Sequence, residues 1–156
     1  MRLESTDVIE APRDQVYLVV RDKLPELASY LPNVQKVETL QYKQREKHTD
    51  IENRWFAEAK LPRLVENVLS EELFSWNDKA TWFNGEYRVE YELESALAKG
   101  IFHARGRNEF KEVGPGQTEL TVSCEIIIHA EKIPGIPVSL KTLHLVLQRP
   151  TARHSG

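Results

Sequence analysis

A single cysteine, Cys124, excludes an intrachain disulfide, and no apolar run approaches the ~20 residues that cross a bilayer. The five histidines, His48, His103, His129, His144 and His154, are scattered and form no HxH, HxxxH or Cys/His cluster, so no metal-site pattern is present. Phosphate-loop chemistry is missing too. Gly114-Pro115-Gly116 reads as a hairpin turn and lacks the lysine and helix that follow in a nucleotide site. Charge of one sign is never gathered into a block: 21 Lys and Arg stand interspersed with 24 Asp and Glu, a net charge of −3, which gives nucleic acid no electrostatic footing. Neither a GxSxG elbow nor a Cys-Gly context marks a nucleophile. Cys124 alternates inward on an apolar strand, where a thiol behaves as a small hydrophobe.

What is present is an ordinary globular composition. With 156 residues, 40% of them hydrophobic, the chain has enough apolar content for one domain with its own core. Residues 1–150 are expected to form that domain, and the polar tail 151–156 to be disordered. The opening Met1-Arg2-Leu3-Glu4 turns acidic before any apolar stretch, which points to a cytoplasmic protein and away from secretion.

Periodicity divides the chain into an α+β pattern. A strand over about Leu3 to Glu10 stops at Pro12, and Val16, Val19 and Val20 then supply a short helical stripe. A second short helix over Pro25 to Leu31 must end before Pro32. Val34 to Lys47 and Thr49 to Lys60 read as a hairpin, with Ile51, Asn53, Trp55, Ala57 and Ala59 on the inward face of its second strand. Residues 61–75 fit either a helix or a strand. Thr81 to Asn84 reads as a strand ending at an Asn84-Gly85 two-residue turn, and Trp76, beside Asn77-Asp78, as a loop anchor. Glu86 to Glu94 then alternates with Tyr87, Val89, Tyr91 and Leu93 on one face. Ile101 to Lys111 puts Phe102, Ala104, Gly106, Asn108 and Phe110 opposite His103, Arg105, Arg107 and Glu109, and Thr118 to Ile128 completes an antiparallel meander. Past Ile133-Pro134-Gly135-Ile136-Pro137, the residues Ile136, Leu140, Leu143 and Leu147 form one helical stripe, stopped by Pro150 after about 18 to 20 Å.

Ile9-Glu10-Ala11-Pro12 followed by Val16-Tyr17, then Leu31-Pro32-Asn33-Val34 with Val37-Glu38, resembles the N-terminal signature of the START-like, polyketide cyclase and coenzyme Q-binding superfamily (SRPBCC, Bet v 1-like). Ile133 to Pro137 leading into an apolar helix is similar to the way its members begin their last helix. The resemblance spans nearly the whole chain through structural motifs, none of them catalytic. It implies a helix-grip fold: a curved antiparallel sheet of about seven strands, two short helices after strand 1, and a C-terminal helix across the concave face. It further implies a lipid, polyketide, quinone or similar apolar ligand held between sheet and helix. The early stop at Pro150 departs from the pattern and implies a pocket that is wider, partly open, or completed by a second subunit.

Candidate ligand contacts follow from the inward faces. Trp55, Trp82, Tyr87, Tyr91 and Phe102 offer flat apolar surface. Asn53 and Asn108, with Thr118, are polar groups among large apolar neighbours and must find partners, in a ligand or in the protein. Leu140 and Leu143 would face them from the last helix. No acid/base pair, cofactor or metal is indicated, and His103 faces outward. The preferred reading is an intracellular binding protein for an apolar small molecule; the alternatives are a cyclase-, aromatase- or dehydratase-type enzyme using the same pocket, and a homodimer or partner-binding module built on an open groove.

Overall fold

The computed structural model describes residues 1–58, 75–95, 100 and 102–129. The expected last helix with Leu140 and Leu143, the tail, and most of the undecided segment 61–75 lie outside the described residues. Within them the order is β1 (Arg2–Ile9), α1 (Arg13–Asp22), α2 (Leu24–Leu27), a single 3₁₀ turn (Ala28–Tyr30), β2 (Val34–Gln44), β3 (His48–Ala57), β4 (Ser75–Phe83), β5 (Arg88–Ser95), β6 (Phe102–Gly114) and β7 (Gln117–Ile128). The seven strands form one antiparallel sheet in the order β1-β7-β6-β5-β4-β3-β2.

That order leaves β1 and β2 on opposite edges, although they are consecutive strands. Seven strands spaced about 4.8 Å apart put the edges of a flat sheet about 29 Å from each other. Helix α1, with 10 residues, covers about 15 Å of that. The second helix and the 3₁₀ turn carry the chain over the rest. Pro12 stands extended just before α1, where its missing amide removes no helical hydrogen bond, and Pro25 likewise opens α2. Register shifts occur between Val34 and Lys36, Thr39 and Gln41, and Glu112 and Gly114, a pattern that bends and twists a strand locally.

The core lies between α1 and the inner face of the sheet. Tyr17 is 3% exposed, and its ring makes edge-on contacts with Trp82, Tyr87 and Phe110 at centroid distances of 5.3, 5.3 and 5.4 Å. Its hydroxyl donates to Asn84 Oδ1 at 2.9 Å, and burial pushes its pKa up to about 12. A second small cluster, Leu24, Ala28 and Val37 with Leu31, Val34 and Trp55, seats α2 against β2 and β3. Two buried threonines are satisfied internally. Thr118 donates to the Ala11 carbonyl at 2.7 Å, which assigns it to the β1–α1 junction, and Thr49 accepts from Asn84 Nδ2 at 3.0 Å.

Two sequence expectations need correction. Strand β4 begins at Ser75, six residues before Thr81, and Trp76 is a strand residue that stacks on Trp55, not a loop anchor. The polar run Asn77-Asp78-Lys79 imitates a turn, yet its members keep pairing with Arg54, Asn53 and Glu52. The β4–β5 connection is also longer than two residues: Phe83 pairs with Arg88, leaving 84–87 as a four-residue turn. Gly85 and Tyr87 have φ of 93° and 53° there, and the left-handed backbone takes Tyr87 out of the alternation of β5.

Truncating the Tyr17 ring is expected to destabilise the fold by about 3 to 5 kcal/mol in urea titrations of Tyr17→Ala. Tyr17→Phe, which keeps the three ring contacts, should lose only about 1 kcal/mol.

Candidate functional site

Alternation along β3, β4, β5 and β6 sends Asn53 and Trp55, then Trp76, Asp78, Ala80 and Trp82, then Val89, Tyr91 and Leu93, and finally Asn108 to the inner face. With Val20 of α1 and Leu24 of α2 they line a cavity of about 310 Å³, at the small end of the range for organic ligands. A larger recess of about 690 Å³ lies on the outer face, among Lys79, Glu90, Glu92, Arg105 and Arg107. Its charges alternate in sign, and neighbouring outer-face residues pair as Arg107–Glu109 at 2.7 Å and Arg88–Glu90 at 3.0 Å. Such a surface satisfies itself in water, so the smaller inner cavity is the candidate site.

Its shape depends on one absent side chain. Gly106 sits on β6 beside Tyr91 of β5, and a Cβ there would collide with Cζ, Cε2 and the hydroxyl of the Tyr91 ring. The ring lies across the bare backbone, and its hydroxyl donates to Asn108 Oδ1 at 2.9 Å. Burial first, then the neighbouring Cys124 and Asp78, raise the Tyr91 pKa above the usual tyrosine range. Asn53, 4% exposed, accepts from the Thr39 hydroxyl at 2.7 Å. Each amide therefore has its oxygen engaged and its NH₂ group as a remaining donor pair. Trp55 and Trp76 stack with centroids 5.9 Å apart and planes inclined by 13°.

Asp78 is the residue that sequence reasoning missed. It stands opposite Asn53 in the β3–β4 register, accepts from Trp55 Nε1 at Oδ2 over 3.2 Å, and has Oδ1 buried with no hydrogen-bond partner. Burial raises its pKa from 3.8 to about 6, and the Trp55 bond only partly opposes this. Continuing the alternation backwards from Trp82 through Ala80 would have placed Asp78 inside.

Of the nine residues expected to contact a ligand, the structure brings Asn53, Trp55, Trp82, Tyr91 and Asn108 to this cavity. Tyr87 is elsewhere. Its hydroxyl donates to Asp14, the Arg13 guanidinium lies 3.9 Å over its ring, and the left-handed backbone at 87 is the reason. Phe102 shares the inner phase of Ala104 on β6 but is not part of the cavity wall. Leu140 and Leu143 fall outside the described residues. His103 lies on the outer face, beside Glu92 and Glu94. No group of three or more metal-binding side chains occurs among the described residues, and none of their helices is long and apolar enough to cross a membrane.

Among solved structures, the Zhui aromatase/cyclase from Streptomyces sp. R1128 superposes with a TM-score of 0.60 at 19% identity, over 83% of this chain and 69% of that one. The chain has the START-like, Bet v 1-like fold. A START superfamily protein from Mycobacterium smegmatis matches with a TM-score of 0.53 at 14% identity, over 99% and 97% of the two chains. Norcoclaurine synthase from Thalictrum flavum matches with a TM-score of 0.52 at 13% identity, over 84% and 71%. No family model and no curated protein matches this sequence. At such identities the START-like likeness fixes the architecture alone.

Asp78 couples the cavity to stability. Its proton is held more tightly in the folded chain than in the unfolded one, so ionisation above about pH 6 opposes folding and the penalty fades as pH falls toward 4. A rise from 3.8 to about 6 corresponds to about 3 kcal/mol. Asp78→Asn should therefore be more stable than the parent by about 1 to 3 kcal/mol near pH 8, with the difference gone near pH 4, in paired urea titrations.

Proposed function

We propose that the protein binds an apolar small molecule on the inner face of its sheet, and that it does so in the cytoplasm. The observation that carries this reading is the cavity of about 310 Å³ walled by Trp55, Trp76, Trp82, Tyr91 and Leu93. Burial of a flat apolar skeleton there supplies the driving force, at about 25 cal/mol per Å². Asn53 and Asn108 orient the molecule with their amide donors. A lipid, polyketide or quinone fragment fits this description. The START-like fold in the neighbours above supports the reading at the level of architecture.

The neutral fluorescent probe N-phenyl-1-naphthylamine should bind with enhanced emission and quench tryptophan fluorescence. Leu93→Trp, which fills the cavity from the β5 wall, should weaken that binding by about tenfold or more. Equal binding to the parent and to a folded Leu93→Trp would sink the reading.

A second reading, a cyclase- or dehydratase-type enzyme using the same cavity, is favoured by Asp78. Its pKa of about 6 suits proton transfer near neutral pH, and Tyr91 shares the cavity wall. Incubation with a model β-hydroxy ketone should then show water loss that follows an apparent pKa near 6 and disappears in Asp78→Asn. Turnover indifferent to that substitution would remove the enzyme reading.

A further inference from the structure

Binding of purely apolar molecules does not account for Asp78. The residue brings a carboxylate to a wall otherwise made of indoles, a phenol, amides and aliphatic groups. One oxygen takes the Trp55 N–H, and the other is buried without a partner. A carboxylate has about four acceptor sites, and native proteins rarely leave a buried one idle. Nor does the described wall hold a counter-ion, since it contains no Lys, Arg or His.

The sheet's own alternation explains that imbalance. His48 and Arg54 on β3, Lys79 on β4, Arg88 on β5, and His103, Arg105, Arg107 and Lys111 on β6 all have the phase of the outer face. Every cationic side chain of the four cavity strands is turned away from Asp78. Among the described residues of these strands, none brings a cation to this carboxylate.

We propose that the cavity recognises an organic cation: a primary ammonium on a flat apolar or aromatic skeleton. The ammonium pairs with Asp78, and the skeleton lies against the tryptophans. An ammonium supplies both the missing hydrogen bond and the missing charge, and the stacked pair of Trp55 and Trp76 adds aromatic surface attractive to a cation. Asn53 stands directly opposite Asp78 in register, its oxygen taken by Thr39, so the acceptor that meets the ammonium is Asp78. This inference rests on the cavity being the binding site and names the chemistry it selects.

The test is isothermal titration calorimetry of the full chain with tryptamine and with its neutral isostere 3-propylindole, at about pH 8 and about pH 5. Among the described wall residues, Asp78 and Tyr91 are the titratable ones: β3 brings Asn53 and Trp55, β6 Asn108, and α1 and α2 bring Val20 and Leu24. Tyr91 stays protonated throughout this range, so the response belongs to Asp78. Tryptamine should bind the parent at least about tenfold more tightly than 3-propylindole near pH 8. That preference should collapse near pH 5 and in Asp78→Asn at either pH, through loss of tryptamine affinity while 3-propylindole still binds. Equal affinities in the parent, or a preference that survives Asp78→Asn, would overturn the inference while leaving the cavity reading intact. Absence of binding by both compounds would overturn the two together.

Discussion

The edge-on packing of the Tyr17 ring against Trp82, Tyr87 and Phe110 is the contact from which the other features of the site descend. It docks α1 on the sheet, and α1 in turn presents Val20 to the cavity, with α2 presenting Leu24. Polar groups lock the same helix at its end. Arg21 donates to Asn84 at 3.0 Å and to Asp22 at 2.8 Å, and Tyr42 of β2 donates to Asp22 at 2.9 Å. The hydrogen bond from the Arg21 guanidinium holds the Asp22 carboxyl below the usual range. One buried aromatic ring and one half-exposed ion cluster thus fix the helical wall opposite the indoles.

Within that frame the site is an exercise in sorting by phase. A strand period of two divides each segment into residues that meet water and residues that do not. For β5 and β6 the division is almost purely apolar against charged. For β4 it puts a carboxylate on the dry side, where a low dielectric makes its charge expensive and its interactions strong. The same displacement from water that raises the Asp78 pKa would magnify any favourable contact it makes with a bound molecule. Stability given up at such a position is a recurrent mark of groups kept for binding or chemistry.

Much of this architecture was legible in the sequence. The strand, proline and short-helix opening, the β2–β3 hairpin and the β6–β7 meander all follow from alternation and from Pro12, Pro32 and Gly114-Pro115-Gly116, because those segments sort cleanly into polar and apolar faces. The start of β4 was hidden for the opposite reason. Asn77-Asp78-Lys79 is polar on both faces, and three polar residues in a row look like a turn when one of them is in fact inside. Tyr87 failed through backbone geometry, since nothing in its composition announces a left-handed φ at a non-glycine residue. Gly106 could be placed on the inner face, but that its bare backbone accommodates a tyrosine from the next strand is a fact about neighbours in space. Asn53, Trp55, Trp82, Tyr91 and Asn108 line the cavity in the phase that the alternation of their strands dictates; Asp78 escapes that pattern because Asn77-Asp78 beside Trp76 reads as a loop.

The register of β4 has an evolutionary consequence. Trp76, Asp78, Ala80 and Trp82 face the cavity, while Asn77, Lys79, Thr81 and Phe83 face the other way. Insertion or deletion of one residue in this strand would exchange the two sets, placing a lysine beside Trp55 and exposing two tryptophans. Side chains along β4 are therefore free to drift by substitution toward new ligands, but the strand's length is frozen. Divergence of the pocket has to proceed by replacement within a fixed frame, and length variation is pushed into the turns that join the strands.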